Sequence, residues 1–198
     1  MNRRRRRREI SLSYGRRPGK SKIGLIKEIF SWLFLIIVSI ALAVVLVYLF
    51  GIRTSVVGSS MEPTLSNGQE VMINSVAYQL AAPKRGDVIV FKPNGNKNAH
   101  YSIKRIIGIP GDTVQIKNGL VYINAAAYKG DVSDDTREAG IAADEIVLAA
   151  DEYFVLGDNR MTTEDSRSAN IGNVSRSMIE GKAWLALKHG DESMKLVK

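Results

Sequence analysis

From Ile29 to Ile52 the chain runs 24 residues without a charge, bounded by Glu28 and Arg53. A helix rises about 1.5 Å per residue, so this run reaches about 36 Å and crosses a hydrocarbon core of about 30 Å with some tilt. Trp32 and Tyr48 stand toward its two ends, where amphipathic rings favour the membrane interface. A secretory leader has an apolar stretch of only about 7–15 residues. A cut after Ala41-Leu42-Ala43 would fall inside the run, so the segment reads as a retained anchor. Little in the rest of the chain is helical enough to bury it as a core helix.

The charge is distributed around that anchor. Residues 1–28 hold eleven Arg and Lys, including Arg3 to Arg8, against Glu9 and Glu28. The remaining 17 basic and 18 acidic residues all follow residue 52. The basic character thus belongs to a tail, and the positive-inside rule places 1–28 in the cytoplasm and 53–198 outside. A nearly neutral domain with no aromatic stripe gives no footprint for nucleic acid. Gly15-Arg16-Arg17-Pro18-Gly19-Lys20-Ser21 is one residue short of a phosphate-binding loop and follows no apolar strand. It reads as a basic juxtamembrane tail able to meet anionic lipid head groups. The chain has no cysteine and only His100 and His189, which excludes thiolate chemistry and leaves too few imidazoles for a multi-histidine metal site.

Beyond Arg53 the pattern changes to short β-branched runs separated by turn residues. Gln69–Asn74, Asp87–Phe91, Ser102–Ile109, Thr113–Lys117, Leu120–Asn124, Tyr153–Leu156 and Lys182–Leu187 are expected as strands. Asn118-Gly119 tolerates the positive φ angles of a two-residue hairpin and joins the fourth run to the fifth. The expected fold is mainly β: an antiparallel, barrel-like sheet domain preceded by one transmembrane helix (29–52). Residues 125–150, rich in Ala and Asp, read as an excursion with no assigned structure.

Three segments could carry chemistry. Gly58-Ser59-Ser60-Met61-Glu62-Pro63-Thr64-Leu65 can present a hydroxyl on a rigid loop, although such a loop alone is ordinarily only a turn. In a strand over Ile103–Ile109, Ser102, Lys104 and Ile106 share one face. A lysine buried there loses hydration, which favours the neutral amine and makes it a base; a lysine snorkelling to water is the bland alternative. Gly157-Asp158-Asn159-Arg160 followed by Thr163, Asp165, Ser166 and Arg167 suits a loop locked by charge-assisted hydrogen bonds.

Taken together and in order, Ser60-Met61-x-Pro63-Thr64-Leu65, Gly86-Asp87-Val88-Ile89-Val90, Lys104 through Asp112, and Gly157 through Arg167 resemble type I signal peptidases of the single-anchor, Gram-positive-like kind. The resemblance runs from about Val56 to Trp184 and leaves 125–150 unmatched. It implies a membrane-bound serine endopeptidase that removes signal peptides from exported preproteins after small residues at −1 and −3. Ser60 would be the nucleophile, Lys104 the general base and Thr163 the hydroxyl that orients the lysine. Gly58 stands where some members carry a second oxyanion-hole hydroxyl. Asp158, Asp165, Arg105 and Arg167 would hold the Lys104 strand against the last loop. No metal or cofactor is implied, and the partners would be preproteins, lipid and the export channel. Met61, Pro63 and Leu65 are expected to form an apolar surface resting on the bilayer. His100, four residues from Lys104 on a strand, would lie about 13 Å from it and is set aside as the base; His189 is expected in solvent.

Three rivals remain at this stage. A self-cleaving repressor of similar fold would carry a DNA-binding domain instead of an anchor. A silent family member acting in assembly would be expected to have lost Ser60 or Lys104. A tethered nucleic-acid-binding β-domain conflicts with the charge.

Overall fold

A computed structural model describes residues 22–50, 52–96, 98–130, 136 and 138–197. The arginine run and the Gly15–Ser21 segment lie outside the described residues. The chain divides into two units after Ala43.

Helix α1 spans Lys22–Phe50. Within it Ile23–Val47 is long and apolar enough to cross a membrane, and none of that stretch is buried by protein. Leu, Ile, Val and Phe are exposed along its length, so the helix has no polar face of the kind a surface helix turns to water. The charge-free run was expected to stay helical to Ile52. Instead Ile52 opens strand β1 and pairs with Ile73, consistent with the β preference of a branched residue next to Arg53 and Thr54.

The domain is built from β1 (Ile52–Ser55), β2 (Glu70–Asn74), a one-turn α2 (Ala77–Leu80), β3 (Val88–Phe91), β4 (Ser102–Gly108), β5 (Thr113–Lys117), β6 (Leu120–Ile123), β7 (Ala126–Ala127), β8 (Ile146–Val147), β9 (Glu152–Leu156), β10 (Val174–Ser175), β11 (Ile179–Ala186) and β12 (Lys195–Leu196). The larger sheet has the order β1-β2-β11-β3-β4-β9-β10, with β12 on β11, and the smaller one β7-β6-β5-β8. Every described strand pairing is antiparallel. All seven expected strands form, with ends shifted by up to three residues, and the Asn118-Gly119 hairpin closes with Lys117 opposite Leu120. Both of its turn residues have positive φ, 53° and 78°, as a two-residue loop with the right twist demands.

The burial pattern explains which strands lie at the centre. In β3, Val88 and Val90 enter one apolar cluster while Ile89 and Phe91 enter another. In β9, Tyr153 and Val155 face one cluster and Phe154 and Leu156 a second. Strands buried on both faces read as unbroken apolar runs, which is why VIVF and YFVL show no alternation. In β5, by contrast, Val114 and Ile116 point inward and Thr113, Gln115 and Lys117 outward. Met61 and Leu65 are completely buried in the first cluster, so the expected bilayer-resting surface is corrected. Only Pro63 of that trio is exposed, because the apolar side chains on either side anchor the loop to the core.

The described residues of 125–150 are packed into the domain. They add β7 and β8 to the small sheet, and Ala142 and Leu148 complete its core. The Ile141 N–H donates to Arg167 O at 2.9 Å, so this segment braces the loop after β9.

Gly108 sits where β4 shifts register against β9. A Cβ there would come within 2.7 Å of Leu148 Cδ1 and 2.8 Å of Val114 Cγ2. Gly108→Ala is therefore expected to cost about 1–3 kcal/mol through overpacking, measured by denaturant unfolding of the full chain in detergent. An unchanged unfolding midpoint would show that the two sheets do not meet this closely.

Candidate active site

The nucleophile candidate lies in the loop between β1 and β2. Gly58 turns that loop with φ +81°, a left-handed conformation open to glycine and strained for other residues. Its N–H donates to Asn67 Oδ1 at 2.9 Å, which pins the turn. Met61 and Leu65 then plug into the core, and the Leu65 N–H donates to Met61 O at 2.8 Å. Ser60 is held between the pinned turn and the apolar plug, 7% exposed, while Ser59 faces solvent.

Lys104 comes from the middle of β4, where Ile89 of β3 is its register partner. It is 5% exposed, and its Nζ donates to Ser60 Oγ at 2.6 Å. Burial pushes the Lys104 amine below the ordinary lysine range. Asp165, Glu164 and Asp158 pull it back up, Arg167 pushes it further down, and burial prevails. The lysine on β4 does not snorkel.

The loop after β9 closes the site from the other side. Arg105, next to Lys104 on β4, grips Asp158 through Nε at 2.7 Å and Nη2 at 2.6 Å. Its Nη1 donates to Gly86 O at 2.8 Å. Arg167 grips Asp165 through Nε at 2.8 Å and Nη2 at 2.7 Å, and also donates to Arg160 O and Thr162 O. Asp165 in turn accepts the Gly157 N–H at 3.1 Å. All four charged side chains are nearly or fully buried. Such pairs persist because each carboxylate is satisfied by several donors. The Lys104 strand and the loop are thereby locked together.

Asn159 and Gly157 do something the sequence reading missed. Asn159 N–H donates to Ser60 O at 3.0 Å and its Nδ2 donates to Ser59 O at 3.2 Å. A Cβ on Gly157 would stand 2.5 Å from Ser60 O, so only glycine lets the two loops approach. The signal was present in Gly157-Asp158-Asn159-Arg160, but sequence spacing cannot reveal which backbone the asparagine clamps. Thr163 is half-buried and makes no hydrogen bond to Lys104 in this structure. Among the described residues no acceptor takes the Ser60 N–H.

A cavity of about 140 Å³ opens beside the pair, lined by Val56, Val57, Ser60, His100, Lys104 and Glu164 among others. His100 shares this wall, but the hydrogen bond to Ser60 comes from Lys104. His189 is exposed and bridges to Glu192, far along the chain from both. No group of three or more His, Asp or Glu among the described residues is arranged to hold a metal ion. A hydroxyl, a desolvated amine and a backbone N–H without an acceptor beside a small cavity suit nucleophilic attack on a carbonyl.

Comparison with known proteins agrees. The signal peptidase family, peptidase S26, matches residues 29–187. A signal peptidase IB of Staphylococcus aureus (strain COL) is 35% identical over 176 residues, covering 79% of this chain and 87% of its own length. A signal peptidase I of Bacillus amyloliquefaciens is 35% identical over 170 residues, covering 82% and 89%. The crystal structure of a signal peptidase I from Enterococcus faecalis V583 is 30% identical, covers 52% of this chain and 97% of its own, and has a TM-score of 0.39. The chain belongs to the signal peptidase family, peptidase S26, and is a serine peptidase.

Proposed function

We propose that this protein removes signal peptides from exported preproteins with Ser60 as nucleophile and Lys104 as general base. The single observation that carries the assignment is the 2.6 Å contact between a buried lysine amine and the Ser60 hydroxyl. With Lys104 neutral, Ser60 Oγ attacks the scissile carbonyl carbon and its proton passes to Nζ. The resulting ammonium then protonates the leaving amine, releasing the mature protein and leaving the signal peptide as an acyl ester on Ser60. Water, deprotonated by Lys104, hydrolyses that ester. The Ser60 N–H supports the oxyanion. Gly58 has no side chain, and its own N–H is taken by Asn67, so a second donor must come from elsewhere in the complex.

Thr163 is assigned to orienting Lys104 once substrate is bound, since catalytic hydrogen bonds often tighten only in the complex. Arg105, Asp158, Asp165 and Arg167 hold the lysine and the loop and take no part in bond breaking. The unburied apolar helix supports single-pass anchoring. The arginine-rich flank supports a cytoplasmic N-terminus and an extracytoplasmic domain, where preproteins leave the export channel and lipid covers the helix. A small cavity with Val56, Val57 and Ile103 in its wall supports a demand for small side chains at −1 and −3, since a large one would meet those residues. The alternative of a silent assembly factor has no feature in its favour, as both Ser60 and Lys104 are present and in contact.

Ser60→Ala and Lys104→Ala should each lower preprotein cleavage in liposomes by at least about 10³-fold with circular dichroism unchanged. Full activity in either would sink the pair. Only the neutral amine is competent, so kcat/KM should rise with pH as Lys104 loses its proton. Burial places that rise below the range of exposed lysines, and a rise found only near pH 10 or above would contradict it. Gly157→Ala should displace the Ser60 carbonyl and lower kcat by about 10²-fold in a protein that still folds. Unchanged kcat would show that the approach of the two loops does not position the nucleophile.

A further inference from the structure

The loop after β9 carries three carboxylates, and two of them are structural. Asp158 and Asp165 are each chelated by an arginine and buried. Glu164 lies between these supports and behaves differently. It is exposed, it lines the same cavity as Ser60 and Lys104, and among the described residues it forms no hydrogen bond and no ion pair. Its backbone is held in place, because Asp165 beside it is locked inward by Arg167 and by the Gly157 N–H. A carboxylate without a chelating arginine thus lines the cleft where the scissile bond must sit.

The other charges nearby do not cancel it. Arg105 and Arg167 are bound to Asp158 and Asp165. Lys92 keeps its charge over the Tyr101 ring at 5.2 Å, but it lines a neighbouring depression and not the wall that Glu164 shares with Ser60 and Lys104. Lys104 must be uncharged when it works as a base. In the competent enzyme the cavity wall is therefore net negative at Glu164.

We propose that Glu164 is a specificity-determining residue that favours preproteins with lysine or arginine beside the scissile bond and disfavours aspartate or glutamate there. The position meant is one whose side chain stays outside the small-residue pockets, namely −2 or +1. This rests on the reading of Ser60 and Lys104 given above. The wall is open to solvent, so the attraction is moderate and screened by salt. Swapping a substrate lysine for glutamate reverses the sign and should change kcat/KM by about tenfold at low salt.

The test uses the full chain in liposomes at pH 8, where ordinary imidazoles are uncharged. Three preproteins differ only in carrying Lys, Gln or Glu at −2, and three more only at +1. Comparing the Lys-to-Glu ratio of kcat/KM within each enzyme cancels any effect of a substitution on Lys104 itself. The expected wild-type ratio is about tenfold at one of the two positions, falling toward one in Glu164→Gln and inverting in Glu164→Lys. It should also shrink as salt is raised. A wild-type ratio near one at both positions, or the same ratio in wild type and Glu164→Gln, overturns the proposal. If wild type fails to cut even the Gln substrates, the peptidase reading of the site falls and this inference falls with it.

Discussion

The site depends on keeping one lysine amine out of water. Lys104 lies in the middle of a strand, buried, with its amine against a hydroxyl. Burial disfavours the ammonium, and on the proposed mechanism the neutral amine is the useful form. Three carboxylates near enough to restore the charge are present, namely Asp165, Glu164 and Asp158. Two of them are neutralised by chelating arginines. Arg167, which chelates Asp165, also opposes its pull and pushes the Lys104 amine back down.

From that requirement the rest of the domain follows. A strand that buries a lysine needs cover on both faces, and β4, paired along its edges with β3 and β9, sends Ile103, Ile107 and Ile106 into three separate apolar clusters. The serine must reach the amine from a separate loop, so that loop is fastened at three points: Gly58 to Asn67, Met61 and Leu65 in the core, and the Ser60 carbonyl to Asn159. The loop after β9 must come close enough to make the last contact, and Gly157 permits it. The segment around Gly140 then braces that loop from behind through Ile141 and Arg167. Gly140 has the same role as Gly157, since a Cβ there would collide with the Arg167 carbonyl.

Much of this was legible in the sequence because it is carried by local pattern. The Asn118-Gly119 hairpin and the alternating β5 can be read from a few residues each. Lys104 and Ser60 could be paired only through the order of four motifs, since they are 44 residues apart and neither is distinctive alone. What could not be read depends on tertiary packing. Met61 and Leu65 look like a membrane-facing patch in sequence, yet the fold turns them inward. Strands of two residues such as β7, β8, β10 and β12 have no periodicity to detect and exist because a longer neighbour offers hydrogen bonds. Asn159 and Glu164 sit inside a recognisable motif, but what each side chain faces is a property of the closed loop.

The most direct test of the account is the ionisation of Lys104 itself. The protein, labelled with ¹³C and ¹⁵N at lysine in detergent micelles, can be titrated by NMR, with the Lys104 resonance assigned from its loss in Lys104→Arg. The account predicts that this amine deprotonates below the range of a fully solvated lysine, about 10.4, because burial disfavours its ammonium. A Lys104 resonance that moves together with the exposed lysines would mean that the amine is charged in the working enzyme, and Lys104 could not be its base.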